Sequence, residues 1–398
     1  MRNIILFDAH EVRENLLPMT FTRPVADLRV GILTIREKWE HMLDGTYSYL
    51  TIDYLQEKYS MVEAENNVFI AGNVCPTANL VSKIEALKDG ESLVTQMGDL
   101  IAYKGGIEGL NESSFASTVV CDEDCLTIKM LYDIFVENHR GIVEDFALLT
   151  HGRKSQPLSD TNTVIGSPID ADGNPLIFIE EGAVVEGAML NVKNGPIYVG
   201  RDAEIMEGSC LRGPIALCDN AVINMGARVY GATTLGPYCK VGGEVNNVVM
   251  MGYSNKAHDG FLGNAVVGEW CNIGGGSSAS NLKNDYTEIK LWNYPAHRFL
   301  RTGLQFCGLI MGDHSKVGVN CMFNTATVLG VGVNIHGSGF PRNFVASFSE
   351  GSAAGFTDVS LAKFFDIARR MMARRGLTLT EVDMRIFESI HAIADNYK

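Results

Sequence analysis

The hydrophobic pattern of the first 155 residues alternates between the spacing of strands and the spacing of helices. In one helix-like run, for example, Ile35, Trp39 and Leu43 recur at four-residue steps. The strand-like segments are residues 3–7, 47–52 and 68–71, and the helix-like segments are residues 33–43 and 80–87. This alternation predicts an α/β domain over residues 1–155.

A period of six replaces this pattern in the middle of the chain. Eight aliphatic residues follow one another at six-residue steps: Val199, Ile205, Leu211, Leu217, Ile223, Val229, Leu235 and Val241. Two shorter runs follow after phase shifts: Phe261, Val267, Ile273 and Ala279, then Met311, Val317, Phe323, Leu329 and Ile335. A fixed period with small residues at the turns is typical of a parallel β-helix, in which each face of a coil buries one side chain. We predict this fold over residues 160–345, because a β-sandwich has a period of two.

Residues 281–305 lack the period and predict an insertion on the solenoid, where functional loops are common. Residues 356–398 predict two helices. Asp358 is the predicted cap of the first helix, and Thr380 with Asp383 resembles a capping box for the second.

Four arginines lie near the end of the first C-terminal helix, namely Arg369, Arg370, Arg374 and Arg375. Two interpretations remain open for this cluster. The arginines either bind phosphate or form a solvated face that complements the negative end of the helix dipole.

Composition and charge narrow the class of protein. Of 398 residues, 46% are hydrophobic and 20% are charged, which is a globular composition. The net charge of −14 argues against nucleic acid as a partner but leaves phosphate ligands open. The apolar run Ile4–Phe7 is too short for a signal peptide, and we expect no membrane span. Nine scattered cysteines favour a reducing cytosol. The pair in CDEDC, Cys121 and Cys125, is either a zinc ligand pair or part of an acidic turn.

The densest polar segment runs from Ser254 to Gly263 within the region of period six. His258 lies 30 residues after Arg228, 14 before Asn272 and 23 before Asn281. Since one coil takes about 18 residues, these offsets place the four on neighbouring coils. A histidine suits a general base, amides can hold an oxyanion, and an arginine suits a phosphate. The group indicates acyl transfer to an amine of a phosphorylated substrate. The alternative is a solvated corner histidine beside turn asparagines.

The segments GARVYG, NKAHDGFLGNAVVG and WCNIGGGSSASNL resemble the acetyltransferase domain of bifunctional N-acetylglucosamine-1-phosphate uridyltransferases. The resemblance implies that His258 and Asn281 are catalytic and that Arg228 and Asn272 bind the substrate. Phe261 stands where the family usually has a tyrosine.

Lys256 is offset from the family lysine that binds the substrate. The resemblance further implies a left-handed β-helix, a homotrimer and acetyl-CoA sites between neighbouring coils.

The opening LLPMTFTRPVADLRVGILTIREKW resembles the nucleotidyltransferase half of an alternative bacterial form of the same bifunctional enzymes. The resemblance implies a nucleotide site for UTP with Mg²⁺. Its residues would be Arg13, Arg23, Gly31, Lys38 and Asn73.

The metal ligand would be Asp8 or Asp99, although Met97-Gly98-Asp99 also fits a hairpin turn. The family's glycine-rich loop is here Asp8-Ala9-His10-Glu11, whose bulk and negative charge would repel phosphates, and Asn73 replaces a metal-binding aspartate. An ion pair of Arg23 with Asp27 or Glu37 is the structural alternative for that arginine.

Three functions therefore remain open. The first is a bifunctional transferase that makes UDP-N-acetylglucosamine or a related nucleotide sugar. The second is a single acetyltransferase or nucleotidyltransferase whose other domain is degenerate. The third is a non-catalytic scaffold that binds sugar nucleotides.

Overall fold

A computed structural model describes residues 2–397, which form two compact units. The first unit comprises residues 2–16, Thr22–Leu28 and Leu33–Met130. The second comprises Leu17–Phe21, Arg29–Ile32 and residues 131–397. Two short pieces of the N-terminal region are therefore part of the second unit. No helix between residues 2 and 397 is both long and apolar enough to cross a bilayer.

The first unit is built on a six-stranded mixed sheet. Its strands are β1 (Asn3–Phe7), β2 (Thr46–Leu50), β3 (Asn67–Ala71), β4 (Glu91–Thr95), β5 (Leu100–Lys104) and β6 (Ser117–Cys121). Their order is β2-β1-β3-β5-β4-β6, with β5 antiparallel to its two neighbours. Its helices are α1 (His10–Asn15), α2 (Ile35–Met42), α3 (Ala78–Ala86) and α4 (Ile107–Asn111). The α/β fold class predicted for the N-terminal region is confirmed.

The apolar strands of this sheet form its core. All five residues of β1 and of β3 are buried, as expected for central strands covered on both faces. Trp39 on α2 is fully buried, and its indole N–H donates to the carbonyl of Val74 at 2.8 Å. The turn Met97-Gly98-Asp99 joins the antiparallel strands β4 and β5, which confirms the predicted hairpin turn.

The second unit contains a long parallel β-helix with three faces, here called A, B and C. Face A consists of β7 (Thr163–Ile165), β10 (Met189–Asn191), β13 (Cys210–Arg212), β16 (Arg228–Tyr230), the first halves of β19 (Glu244–Gly252) and β21 (Phe261–Glu269), β23 (Ser278–Ala279) and β28 (Met322–Phe323). Face B consists of β8 (Ile177–Ile179), β11 (Ile197–Val199), β14 (Ile215–Leu217), β17 (Thr233–Leu235), the second halves of β19 and β21, β26 (Ile310–Met311), β29 (Val328–Leu329) and β31 (Phe344–Val345).

Face C completes each coil. It consists of β9 (Val184–Val185), β12 (Glu204–Ile205), β15 (Val222–Ile223), β18 (Lys240–Val241), β20 (Asn255–Lys256), β22 (Asn272–Ile273), β27 (Lys316–Val317), β30 (Asn334–Ile335) and β32 (Ser349–Ser352), with β33 (Gly355–Asp358) antiparallel at its end. The outer side of face B is covered by α6 (Asn138–Thr150), which follows the short helix α5 (Asp133–Val136).

The aliphatic residues at six-residue steps form the interior of the β-helix. All eight members of the long run are buried in one continuous core, as predicted. The prediction for the second run is wrong at its first residue, because Leu262 and not Phe261 faces inward. Leu262 is in register with Val245, whereas half-buried Phe261 is in register with Glu244 on the outer side. The length of the preceding corner sets this register.

The predicted insertion is confirmed. Val267 and Met311 are rung neighbours although they are 44 residues apart, whereas Met250 and Val267 are only 17 apart. The extra chain contains an antiparallel hairpin of β24 (Lys290–Asn293) and β25 (Arg298–Arg301). The ring of Trp292 stacks on Phe344 with centroids 4.2 Å apart.

Two helices close the chain, α7 (Leu361–Ala373) and α8 (Glu381–Ala394). The predicted cap of α7 is wrong: Ser360, not Asp358, accepts the backbone N–H of Lys363, and Asp358 ends β33. The predicted capping box of Thr380 and Asp383 on α8 is confirmed.

Candidate functional site

His258 lies at the corner between faces C and A, two residues after the end of β20. Its side chain is exposed. A Cβ on Gly275, one coil later, would lie 3.3 Å from the Cβ of His258 and 3.7 Å from its Cδ2. The imidazole thus lies over a backbone that has no side chain to displace it. The amide of Asn224 holds the same corner by donating to the carbonyl of Ala257 at 2.8 Å.

Lys256 does not face solvent. It occupies an inner position of face C, in register with Val241, and its side chain is fully buried. Its ammonium donates to the carbonyls of Gly242 at 2.9 Å and His258 at 2.8 Å. Burial lowers its pKa to about 8. The structure therefore gives Lys256 the role of holding the backbone of His258.

Arg228 and Phe261 lie on the outer side of face A, where Glu244 separates them in register. Half of the Arg228 side chain is exposed, and its Nε lies 3.9 Å from Oε2 of Glu244. The other oxygen of Glu244 accepts the hydroxyl of Tyr230 at 2.6 Å. The sequence analysis missed Glu244 and Tyr230. Strand alternation could have found Tyr230, since it lies two residues after Arg228 and shares its face.

Asn281 follows face A at the start of the insertion. Its amide nitrogen donates to Oδ1 of Asn264 at 2.8 Å, and its carbonyl accepts the N–H of Cys307 at 2.9 Å. A Cβ on Gly263 would lie 2.7 Å from that amide nitrogen and 2.5 Å from Cζ of Phe261. The missing side chain at Gly263 therefore brings Asn281 and Phe261 together.

Asn272 lies elsewhere. It is exposed on the outer side of face C, in register with Asn255 and Lys316. Within one chain, the structure therefore brings Asn281 and Phe261 together on face A and places Asn272 on a different face.

The N-terminal candidates Arg13, Arg23 and Lys38 are buried in the first unit. One guanidinium nitrogen of Arg13 donates to the hydroxyl of Tyr54 at 2.7 Å. The positive charge of Arg23 acts to lower the pKa of Asp27, although burial, the larger effect, raises it. This proximity agrees with the structural alternative for Arg23.

Both carboxylate oxygens of Asp8 accept hydrogen bonds from residues of its own unit. Its Oδ1 accepts the N–H of Val25 at 2.9 Å, and its Oδ2 accepts the hydroxyl of Thr51 at 2.6 Å. Burial raises the pKa of Asp8 to about 6, against the opposing effects of these bonds and of Arg13. A Mg²⁺ ion needs an ionised carboxylate with a lone pair directed at it. Each oxygen of Asp8 uses one of its two lone pairs in these bonds, and Asn73 is the neutral counterpart, so Asp8 as a Mg²⁺ ligand stays a prediction.

Gly31 belongs to the second unit, whereas the other N-terminal candidates belong to the first. Its N–H donates to Oδ1 of Asn138 at 2.7 Å, and its carbonyl accepts the hydroxyl of Thr234 at 2.9 Å. With φ of +86°, a Cβ would lie 2.5 Å from Oδ2 of Asp145. These contacts make Gly31 a close-packing residue.

The remaining candidates have protein partners. Asp99 forms an ion pair of 2.6 Å with Lys129. The ligand atoms of Cys121, Glu123 and Cys125 lie within 4.8 Å of one another, so this turn offers three groups to a metal. The carboxylate of Glu123 also accepts from Thr77 and Asn79, and this leaves both interpretations of the pair open.

Comparison with known proteins gives a family match over the N-terminal region. Residues 4–154 match the model of a family described as sugar nucleotidyl transferase. This part of the chain is therefore similar to sugar nucleotidyl transferases. Its last residues, from Leu131 onward, lie in the second compact unit.

Two curated relatives match part of the chain. A bifunctional sugar-1-phosphate nucleotidylyltransferase/acetyltransferase of Sulfurisphaera tokodaii is 29% identical over 149 residues, which cover 37% of each chain. The bifunctional protein GlmU of Trichodesmium erythraeum is 26% identical over 143 residues, which cover 35% of this chain and 25% of that protein. The matched segments therefore span between a quarter and two fifths of the relatives. The name of the first relative describes nucleotidylyl transfer to a sugar 1-phosphate and acetyl transfer by that protein.

Proposed function

We propose that the β-helix transfers an acetyl group from acetyl-CoA to the amine of an amino-sugar phosphate, with His258 as the general base. The observation that carries the proposal is the setting of His258. Its imidazole is exposed above Gly275, and its carbonyl is held by the buried ammonium of Lys256. A base that is both accessible and held in place is what proton abstraction requires.

In the proposed reaction His258 takes a proton from the substrate amine while the nitrogen attacks the thioester carbon. The carbonyl oxygen becomes an oxyanion, which a second N–H of Asn281 or a backbone N–H would stabilise. A primary amide carries two N–H groups, and Asn281 uses one of them on Asn264. The carbon–sulfur bond then breaks, and the protonated His258 returns the proton to the thiolate of CoA.

Arg228 would hold the sugar phosphate. Its guanidinium is half exposed and makes one long contact with Glu244, so most of its five N–H groups remain for a ligand. Tyr230 and Phe261 would flank the substrate on the same face. Asn272 would contribute only from another face, or from another chain of the proposed homotrimer.

The test is release of CoA from acetyl-CoA in the presence of glucosamine 1-phosphate. We expect His258→Ala to lose about 100-fold or more in rate, as is typical when a general base is removed. His336→Ala, at another exposed histidine of the β-helix, is the matched control and should retain the wild-type rate. A wild-type protein that is inactive on amino-sugar phosphates, or an active His258→Ala variant, would overturn the proposal.

A second activity is favoured by the family match of residues 4–154. We propose that this domain joins a sugar 1-phosphate to UTP, so that a phosphate oxygen attacks the α-phosphorus and pyrophosphate leaves. Arg13, Arg23 and Lys38 would supply positive charge for such a reaction, whose catalysis is mainly positioning and neutralisation of charge. Asp8 would be the carboxylate ligand of a Mg²⁺ ion, and we derive no step through that ion.

This activity is measured as pyrophosphate release from UTP with N-acetylglucosamine 1-phosphate. Arg23→Ala should lower the rate at least 10-fold, whereas Lys88→Ala on the exposed surface of the same unit should not change it. If pyrophosphate is not released and UTP with Mg²⁺ does not raise the melting temperature, the domain is degenerate and acetyl transfer is the only activity. Together the two activities would make UDP-N-acetylglucosamine or a related nucleotide sugar.

We propose the cytosol as the compartment. All nine cysteines are free thiols, and seven of them are buried. Reduced thiols persist in reducing compartments.

A further inference from the structure

The turn that follows β6, residues 121–125 and here called the CDEDC turn, brings three metal-binding groups together. The ligand atoms of Cys121, Glu123 and Cys125 all lie within 4.8 Å of one another. These residues are two positions apart, and side chains at this spacing in an extended chain point to the same side. A bend at Glu123 curls the row so that the three groups converge. Neither of the two proposed transfer reactions uses any of them.

Cys121 is the inner group of the CDEDC turn. It is the last residue of β6, and only 1% of its surface is exposed. Among residues 2–397, no hydrogen bond reaches its thiol. Cys125 is half-buried, so the turn is open to solvent on that side and an ion can enter. A buried thiol that points at a second thiol and a carboxylate gains a partner when a metal ion lies between them.

The carboxylate of Glu123 is oriented by the start of α3. Its Oε2 accepts the hydroxyl of Thr77 at 2.9 Å and the amide of Asn79 at 3.0 Å. Thr77 is itself fixed, because it caps α3 by accepting the N–H of Leu80 at 3.0 Å. Oε1 of Glu123 has no hydrogen bond within the described part of the chain and remains for a ligand. Hydrogen bonds of this kind orient the carboxylates that bind metal ions in proteins.

The donor set determines which ion fits. Two thiolates are soft ligands that favour Zn²⁺, whereas Mg²⁺ and Ca²⁺ prefer oxygen. In a tetrahedral site with Zn–S bonds of about 2.3 Å, the ligand atoms are about 3.8 Å apart, so the present spread of up to 4.8 Å closes with shifts of about 1 Å or less. Water would occupy the fourth position.

The charges of the CDEDC turn also favour a cation. Asp122 adds a further carboxylate to the ligand groups, and the ammonium of Lys83 on α3 is already paired with it. A divalent ion would neutralise two thiolates, and its binding releases the two thiol protons to solvent.

The CDEDC turn leads into chain that pairs with a segment carrying a nucleotide-site candidate. The N–H of Cys75 donates to the carbonyl of Leu126 at 2.9 Å, and the N–H of Ile128 donates to the carbonyl of Asn73 at 2.9 Å. An ion that fixes the turn would therefore also fix residues 73–75.

We propose that Cys121, Glu123 and Cys125 bind a Zn²⁺ ion that stabilises the CDEDC turn against α3 and residues 73–75. The convergence of the three ligand atoms, the burial of Cys121 and the hydrogen bonds that orient Glu123 support the site. The proposal requires neither acetyl transfer nor nucleotidyl transfer, because none of the three ligands is assigned to either reaction.

The test is titration of the untagged, reduced, full-length protein with Co²⁺, a spectroscopic substitute for Zn²⁺, after metal ions have been removed with EDTA and the EDTA by dialysis. Thiolate ligands give Co²⁺ an intense charge-transfer band in the near ultraviolet. Zn²⁺ should then displace Co²⁺ and abolish the band at about one ion per chain, as a single tetrahedral site requires.

Variants of each ligand separate the CDEDC turn from other thiols. We expect Cys121→Ser and Cys125→Ser to abolish the charge-transfer band. Glu123→Gln keeps both thiols and should weaken Zn²⁺ binding about 10-fold or more. Cys210→Ser is the control, because this exposed cysteine lies in the second unit, and the variant should bind as wild type does.

A second measurement covers the case in which Cys121→Ser does not fold. Zn²⁺ should raise the melting temperature of the wild type and leave that of Cys125→Ser unchanged, since an ion that binds the folded state stabilises it. The proposal fails if Co²⁺ gives no charge-transfer band, or if the band persists in Cys125→Ser. It also fails if the band is lost in Cys210→Ser, because the thiolates then lie elsewhere. None of these results bears on the assays of CoA or pyrophosphate release.

Discussion

Lys256 occupies an inner position of face C. The two neighbouring rungs carry Val241 and Ile273 at the equivalent inner position. The steps of 15 and 17 residues around Lys256 are visible in the sequence. A charged group in a row of aliphatic residues costs free energy, and Lys256 offsets part of this cost by binding two carbonyls. The two hydrogen bonds stabilise the corner that carries His258, whereas the buried charge lowers the stability of the β-helix.

This cost predicts a pH dependence of stability. Burial lowers the pKa of Lys256 from 10.5 to about 8, so between these values the unfolded chain binds a proton that the folded chain has released. The free energy of unfolding contributed by this residue therefore rises with pH across this window. Lys256→Met removes the contribution, and the stability of wild type relative to the variant should increase by up to about 2 kcal/mol between pH 8 and 10. Urea titrations at both pH values measure it, and a constant difference would contradict the buried ammonium.

Gly31 gives a second prediction at this scale. Gly31→Ala should destabilise the protein by more than about 3 kcal/mol, because the new methyl group would lie 2.5 Å from Asp145 and from the backbone of Gly141. Gly98→Ala is the control, since its φ of +88° is similar but no atom lies within 4 Å, and should cost only about 1 kcal/mol. A variant of Gly31 with normal stability and weaker UTP binding would instead support the nucleotide-binding interpretation.

At the scale of elements, the repeating strands of the β-helix were predictable from the sequence. The register after each corner and the start of α7 were not. The aliphatic residues at six-residue steps identify the β-helix because every face must bury one side chain. The length of each corner leaves no such signal, which is why Phe261 was placed inside instead of Leu262. The cap of α7 was misplaced for a related reason, since β33 continues to Asp358 and delays the helix.

The candidate site was predictable only in part. The offsets of Arg228, His258 and Asn281 place them on neighbouring coils, but they do not say which face each side chain occupies. In the structure Asn272 lies on face C, whereas Arg228 lies on face A.

The capping box of α8 allows a test of an element. Thr380→Ala removes an acceptor for the N–H of Asp383, at 3.1 Å, and the partner of its carboxylate. We expect a loss of about 1 kcal/mol in the free energy of unfolding. Thr378→Ala, two residues earlier and exposed, should change it by less than about 0.5 kcal/mol. Equal effects of the two changes in thermal melting would show that the cap does not stabilise the helix.

At the scale of the molecule, the proposed assembly is a homotrimer. The chain mass is 43.4 kDa, so sedimentation equilibrium should give about 130 kDa, three times that mass. An assembly is favoured because Asn272 and Arg228 lie on different faces of one chain and would meet only across a boundary between chains. A monomer with full acetyltransferase activity would contradict this prediction.

The 44-residue step between Val267 and Met311 has a consequence for how the chain folds. Each earlier coil closes a loop of about 17 residues, whereas this one must close a loop more than twice as long. Closure entropy grows with the logarithm of loop length, which adds about 0.8 kcal/mol at this one junction. In a solenoid every coil rests only on its neighbours, so a weak junction divides cooperative folding into two blocks. The coils before the hairpin would then nucleate first and serve as the template on which the later coils assemble.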